Sequence, residues 1–315
     1  MAAGLFFSLT AGLMWGLVFV GPLMLPEYPA ALHTFGRYLA FGVIALPLAW
    51  FDRSELRRLT RADWLAALRL AAIGNVLYYL FLSSAIQRAG GALPTMIIGT
   101  LPVVIAVSAN VLNHSRDGRL PWPQLVPALA LILLGIACVN HVEWQALVQT
   151  PQADTQRYIV GAVLALGAVA CWTWYPLKNA DWLRGHPGRK PRVWSTAQGL
   201  ATLPLSLLGY GLFWLWQSHS AATFPMPLGP RPLAFAGLML AIGLLASWLG
   251  TLCWNAASQR LPTALAGQLI VFETLAALAY AFALRGQWPE PLTLTGIALL
   301  VVGVIAGMRV KPVQG

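Results

Sequence analysis

Ten stretches of nearly unbroken apolar residues alternate along the chain with short polar or Pro/Gly-rich breaks. The pattern predicts helices over about Ala3–Met24, Ala30–Trp50, Trp64–Ile86, Ala92–Leu112 and Pro123–Asn140. It predicts five more over about Arg157–Leu177, Val193–Trp216, Leu233–Ala257, Thr263–Leu284 and Pro291–Met308. A run of roughly 20 apolar residues is the length that crosses a bilayer as a helix. A transmembrane barrel would instead show short alternating segments. The expected fold class is therefore an all-α polytopic membrane protein with ten transmembrane helices. The breaks are tight: Pro26-Glu27-Tyr28-Pro29 follows the first span, and only residues 87–91 separate the third from the fourth. The longest polar break is 141–156, and the Pro-rich segment Phe224–Pro232 leads into the eighth span.

Composition agrees, with 58% hydrophobic and only 10% charged residues, against about 25% charged in a soluble domain. The net charge of +10 does not point to nucleic acid, because the basic residues sit in a few loops between spans. With both termini placed in the cytoplasm, that side collects Arg53, Arg57, Arg58, Arg61, Arg116, Arg119, Lys178, Arg184, Arg189, Lys190, Arg192, Arg260, Arg309 and Lys311. The other side receives Arg88, Arg157, Arg231 and Arg285. This bias is a positive-inside signature, and it fits an even number of spans. Cys138, Cys171 and Cys253 all fall inside spans with no metal or disulfide spacing, and read as small buried hydrophobes. No basic segment precedes the first apolar run, so that run reads as a span rather than a removable signal.

The two halves align weakly but in order. Ala85-Ile86-Gln87-Arg88 matches Ala257-Ser258-Gln259-Arg260, and the same register places Leu101-Pro102 on Glu273-Thr274. Leu134-Gly135-Ile136 matches Val302-Gly303-Val304, and Trp15 matches Trp172. The expectation is two five-helix repeats, 1–140 and 157–315, joined by a non-cytoplasmic loop at 141–156. Five is odd, so the repeats would be inverted around a central cavity, as in many transporters.

Ten spans, two inverted halves and a carboxylate in span nine resemble the drug/metabolite transporter superfamily, EamA branch. The stretches Trp174–Arg184 and Trp194–Pro204 resemble aromatic amino-acid exporters of that branch in the bacterial inner membrane. The resemblance implies multi-pass insertion there and outward movement of aromatic and other neutral amino acids, related metabolites or planar toxic cations. Related sequences often carry Pro after the span-nine Glu, whereas this chain has Thr274. A kink is accordingly expected less there than in span four, where Pro102 stands.

Glu273 is a lone carboxylate deep in a hydrophobic span. At the bilayer centre such a charge costs roughly 2.5–3.5 kcal/mol on insertion scales. It reads either as a cavity-lining group for a substrate ammonium or proton, or as a packing group bonded to a neighbouring helix. Arg37 reads as a partner for a substrate carboxylate or for Glu273, or as a gate-side or snorkelling residue. Trp15, Asn75, Tyr78, Tyr79, Trp172, Tyr175, Trp248 and Trp254 lie within spans, where aromatic walls with a few hydrogen-bonding groups suit an amino-acid ligand. The competing reading is interfacial anchoring, which fits Trp50, Trp64, Trp122, Trp144, Trp216 and Trp288 at the span ends. Trp248, Thr251 and Asn255 share one helical face, with Trp254 near it. In span four, Thr100 is a candidate substrate contact, and Pro94, Gly99 and Pro102 suggest a bent, gating helix or a static shape. Gly12, Gly16, Gly303 and Gly307 read as close helix packing.

The function expected is a secondary exporter working by alternating access. An uncoupled channel and an intramembrane enzyme are the alternatives. An enzyme would need a Ser/His, paired-Asp or metal constellation, and neither HExxH nor GxSxG occurs. No cofactor is expected, no phosphate loop occurs, and one ten-helix chain can enclose a pathway as a monomer.

Overall fold

A computed structural model describes residues 1–89, 92–112, 118–141, 145, 155–220, 224–286, 288–311 and 313. Most of the 141–156 loop, with Trp144, and the loop residues His114 and Arg116 lie outside the described residues. Among the described residues, ten helical segments are long and apolar enough to cross a membrane, and no strand forms beyond one isolated bridge, Arg119 with Val313.

The spans are, in order, Ala2–Met24, Ala30–Phe51, Arg61–Ala89, Ala92–Leu112, Trp122–Val139, Thr155–Gly185, Pro191–His219, Pro232–Ser258, Thr263–Arg285 and Pro291–Arg309. Local chemistry sets several ends. Thr60 and Asp63 form a reciprocal capping box at the start of span three. Pro191, Pro232 and Pro291 open their spans, where a missing N–H costs nothing. Gly286, with φ +62°, closes span nine.

The surface is inverted relative to a soluble protein. Leu208, Leu212 and Leu215 on span seven and Val163 and Leu166 on span six are exposed, whereas Asn179, Gln198, Asn255 and Gln268 are fully buried. An apolar belt of this kind is stable only against lipid.

Three features depart from the sequence expectation. Span six runs to Gly185 rather than ending near Leu177. Its polar residue Asn179 is satisfied inside the bundle, so the helix continues past it without exposing that amide. Span four is broken at Thr100, between Ala92–Gly99 and Leu101–Leu112. Pro94 and Pro102 therefore each lie in the first turn of a half-helix, where they start helices rather than bend one. Span nine is broken as well, at Ile270, without any proline. There Ile270 N–H donates to Gly267 O at 3.2 Å, a tighter turn than the α-helical one. Spans three and eight each contain a π-helical segment, Leu70–Leu77 and Gly243–Leu249. The register that matches Ala85 with Ala257 places the first on Ile242–Leu249.

Span one packs on spans eight and nine, span six on three and four, two on seven, four on nine, and five on ten. Small residues allow the closest crossings. A Cβ at Gly12 would lie 3.0 Å from Phe272 Cβ, and one at Gly16 would lie 2.7 Å from Ala276 Cβ. Gly303 abuts Ile132 of span five, and Gly307 abuts the Gln268 side chain of span nine. These glycine contacts are internal to the chain.

Candidate substrate site

Spans one, three, six and eight bring five rings together. Trp172 lies parallel to Tyr175 at 5.0 Å between ring centroids and stacks on Tyr78 at 4.7 Å. Trp15 meets Trp172 edge-on at 5.3 Å and Trp254 at 5.2 Å. All five are buried. The π-helical segment of span three contributes by close approach: Gly74 lies against the Tyr175 ring, so any side chain there would collide with it. π-helical turns of this kind recur at functional sites.

The polar groups around this cage are notable for what they lack. Trp172 Nε1, Trp254 Nε1, Asn75 Nδ2 and Glu273 Oε2 are buried with no hydrogen-bond partner in the protein. Leaving such a group unpaired costs about 1–3 kcal/mol each, and more when charged, so the arrangement is poor for stability alone. Three are N–H donors and one is a carboxylate oxygen. Glu273 stands in the first turn of the second half-helix of span nine, at the positive end of that helix dipole. Its backbone N–H lies against Gly12 of span one.

Arg37 is buried beside this cage. Its Nε donates to Ser247 Oγ at 3.0 Å, and its guanidinium covers the rings of Tyr38 and Tyr79 at 4.9 and 5.1 Å. Arg37 and Glu273 interact electrostatically but form no ion pair. Tyr79 OH reaches Val18 O at 3.5 Å.

Other predicted residues lie apart from the rings. Trp248 is partly buried and points to span seven, with Nε1 3.4 Å from Thr196 Oγ1. Asn255, on the same face, donates to Ser195 Oγ at 2.9 Å. The predicted face therefore exists but serves span seven, and Trp254, beside it, turns to span one. Thr100 lines a groove of about 460 Å³ between spans four and five, with Met96, Ile136 and Asn140. Gly99 abuts Ile136 there, and Pro94 is buried.

A polar network was not foreseen. Tyr175 OH donates to Gln198 Oε1 at 2.9 Å, and Gln198 Nε2 and Trp194 Nε1 both donate to Asn179 Oδ1. Asn179 Nδ2 in turn donates to Asn255 Oδ1 at 2.9 Å. Beyond it, Trp182 Nε1 donates to Asp63 Oδ1 at 2.8 Å, and the Trp182 and Trp194 rings stack. The signal available in the sequence was the clustering of polar and aromatic residues in Trp174–Arg184 and Trp194–Pro204. Among the described residues no three His, Cys, Asp or Glu side chains converge as a metal site.

Comparison with known proteins places this architecture. Residues 2–141 match the model of the EamA-like transporter family. The chain is 56% identical to the inner membrane protein YtfF of Escherichia coli (strain K12) over 312 residues, covering 99% of this chain and 97% of that one. The chain belongs to the EamA-like transporter family. A second relative of this EamA-like chain, the uncharacterized transporter YwfM of Bacillus subtilis (strain 168), is 26% identical over 95% of this chain and 91% of its own. A solved crystal structure shares the fold with a TM-score of 0.71, at 19% identity over 97% of this chain and 96% of its own. The caged rings and the unpartnered polar groups thus lie within a membrane transporter.

Proposed function

We propose that this EamA-like transporter is a secondary exporter of aromatic and other neutral amino acids. The observation that carries the reading is the set of three unpartnered N–H donors and one unpartnered carboxylate oxygen around five clustered rings. An amino-acid zwitterion supplies the complements: its carboxylate accepts from Trp172, Trp254 and Asn75, its ammonium donates to Glu273, and its side chain lies against the rings. Related metabolites and planar cations would use the rings and Glu273 without the donors.

The broken spans support a mechanism of alternating access. Spans four and nine are both interrupted helices and pack on each other. The packing pattern also maps onto itself when the first five spans are exchanged with the last five: one–eight becomes six–three, and one–nine becomes six–four. The matching π-helical segments add to this. We read the chain as two inverted repeats, 1–140 and 157–315, that rock about the central site to give alternating access. The name of the 56% identical relative supports the inner membrane as location, and the loop charge bias supports cytoplasmic termini.

Counterflow into proteoliposomes of the purified chain, with labelled phenylalanine or threonine, tests the reading. Saturable accumulation driven by unlabelled amino acid inside is expected. Absence of saturable uptake for every neutral amino acid would sink it.

A further inference from the structure

A second cavity, of about 540 Å³, opens at the face opposite the termini. It is formed by the turn between spans one and two, the end of span three and the end of span seven. Its size suits a small-molecule ligand. Its lining includes one carboxylate, Glu27, one guanidinium, Arg88, the amides of Gln87 and Gln217, and the rings of Tyr28, Phe213, Trp216 and Phe224.

The two charges are held separately. Glu27 Oε1 accepts from Arg231 Nε at 2.7 Å, and Arg231 is anchored through Nη2 on Met24 O. A bond from its own backbone N–H, with Arg231 adding a smaller pull, keeps the Glu27 carboxyl below the usual carboxylate range. A carboxylate has about four acceptor positions, so one pairing does not exhaust it. Arg88 Nη1 is spent on Ser84 O, within its own helix, at 3.2 Å. Its other N–H groups make no further bond among the described residues. The carboxylate and guanidinium line one cavity without pairing to each other.

A polar stripe on span three leads from this cavity towards the ring cage. Gln87, Ser83, Tyr79 and Asn75 follow at intervals of four residues. Ser83 Oγ lies 3.3 Å from Thr34 Oγ1 of span two, and the Arg37 guanidinium covers Tyr79.

We propose that this cavity is a second binding site, for a zwitterion whose ammonium pairs with Glu27 and whose acidic group pairs with Arg88. A charge-assisted pair with guanidinium accepts a carboxylate or a phosphate equally well. Two sources carry this chemistry: a free amino acid on its way along span three, or the headgroup of phosphatidylethanolamine at the membrane surface. The amino-acid source rests on the transport reading above, and the lipid source does not.

The test uses the purified full chain in nanodiscs, with stoichiometry of labelled phenylalanine binding and native mass spectrometry of retained lipid. In phosphatidylcholine alone, the amino-acid source predicts two equivalents bound, with Arg88→Gln removing one and Glu273→Gln the other. The lipid source predicts one equivalent in wild type and in Arg88→Gln. It also predicts that phosphatidylethanolamine is retained about tenfold more by wild type than by Arg88→Gln, the loss of one charge-assisted bond. Arg57→Gln, an exposed change outside the cavity, should alter neither readout. Unchanged stoichiometry together with unchanged lipid retention in Arg88→Gln overturns the proposal. Loss of the Glu273-dependent equivalent alone would instead count against the transport reading.

Discussion

Arg37 and Glu273 are both buried beside the ring cage and act on each other electrostatically, yet they do not pair. Arg37 is occupied by Ser247 and by the faces of Tyr38 and Tyr79. Glu273 Oε2 has no partner in the protein. A carboxylate available to a cationic group is thereby kept within reach of a cation that stays fixed.

Glu273→Gln keeps the shape and removes the charge. A hydrogen bond to a charged group contributes about 1.5–3 kcal/mol, so affinity for a zwitterion should fall about 10- to 100-fold. Binding of the deaminated acid should change far less. Competition against labelled phenylalanine in proteoliposomes measures both.

Trp172→Phe and Trp254→Phe remove an N–H that has no partner in the protein. Ring stacking on Tyr78 and Tyr175 is retained in the first case. Substrate affinity should fall about 10- to 100-fold for the loss of one hydrogen bond to the charged substrate carboxylate. Melting should be disturbed less than by Trp→Ala, which typically costs about 3–5 kcal/mol. Parallel transport and thermal-shift measurements separate the two effects.

Gly74→Ala should drive the Tyr175 ring away from Trp172 and from Gln198. Overpacking of this kind costs about 1–3 kcal/mol, and transport should drop with stability. Gly211→Ala is the control, since a Cβ there meets nothing within 4 Å; its melting and transport should match the parent.

Ser247→Ala strips Arg37 of its only hydrogen bond among the described residues. A charged donor left short in a buried site costs about 1–3 kcal/mol or more. Detergent melting should fall accordingly, and Ser247→Thr, which keeps the hydroxyl, should recover most of it.

Trp182 joins span six to Asp63 of span three and stacks on Trp194 of span seven. This contact ties three spans at the face bearing the termini. Trp182→Phe keeps a ring and removes the hydrogen bond. Maleimide labelling of Cys253, buried in span eight, should then become faster, while labelling of Cys138, half-buried in span five, should not change.

The ten spans were readable because length and apolar composition decide membrane insertion before any tertiary contact forms. Trp15, Tyr78, Trp172, Tyr175 and Trp254 were readable as candidates because aromatic residues within spans are out of place as interfacial anchors. Trp248 passed the same filter yet faces span seven, since composition cannot say which neighbour a helical face meets. The π-helical segments of spans three and eight carried no signal in residue type; in the first, Gly74 is held against Tyr175.

A membrane-embedded helical chain, the order of its spans and a carboxylate within span nine are legible residue by residue, because hydrophobic transfer acts along one helix at a time. Tertiary structure decided the rest. It broke span nine without a proline and extended span six through Asn179. It also gave Arg37 to Ser247 rather than to Glu273. Each of these depends on which polar groups find partners across helices, and that pairing is set only when the helices meet.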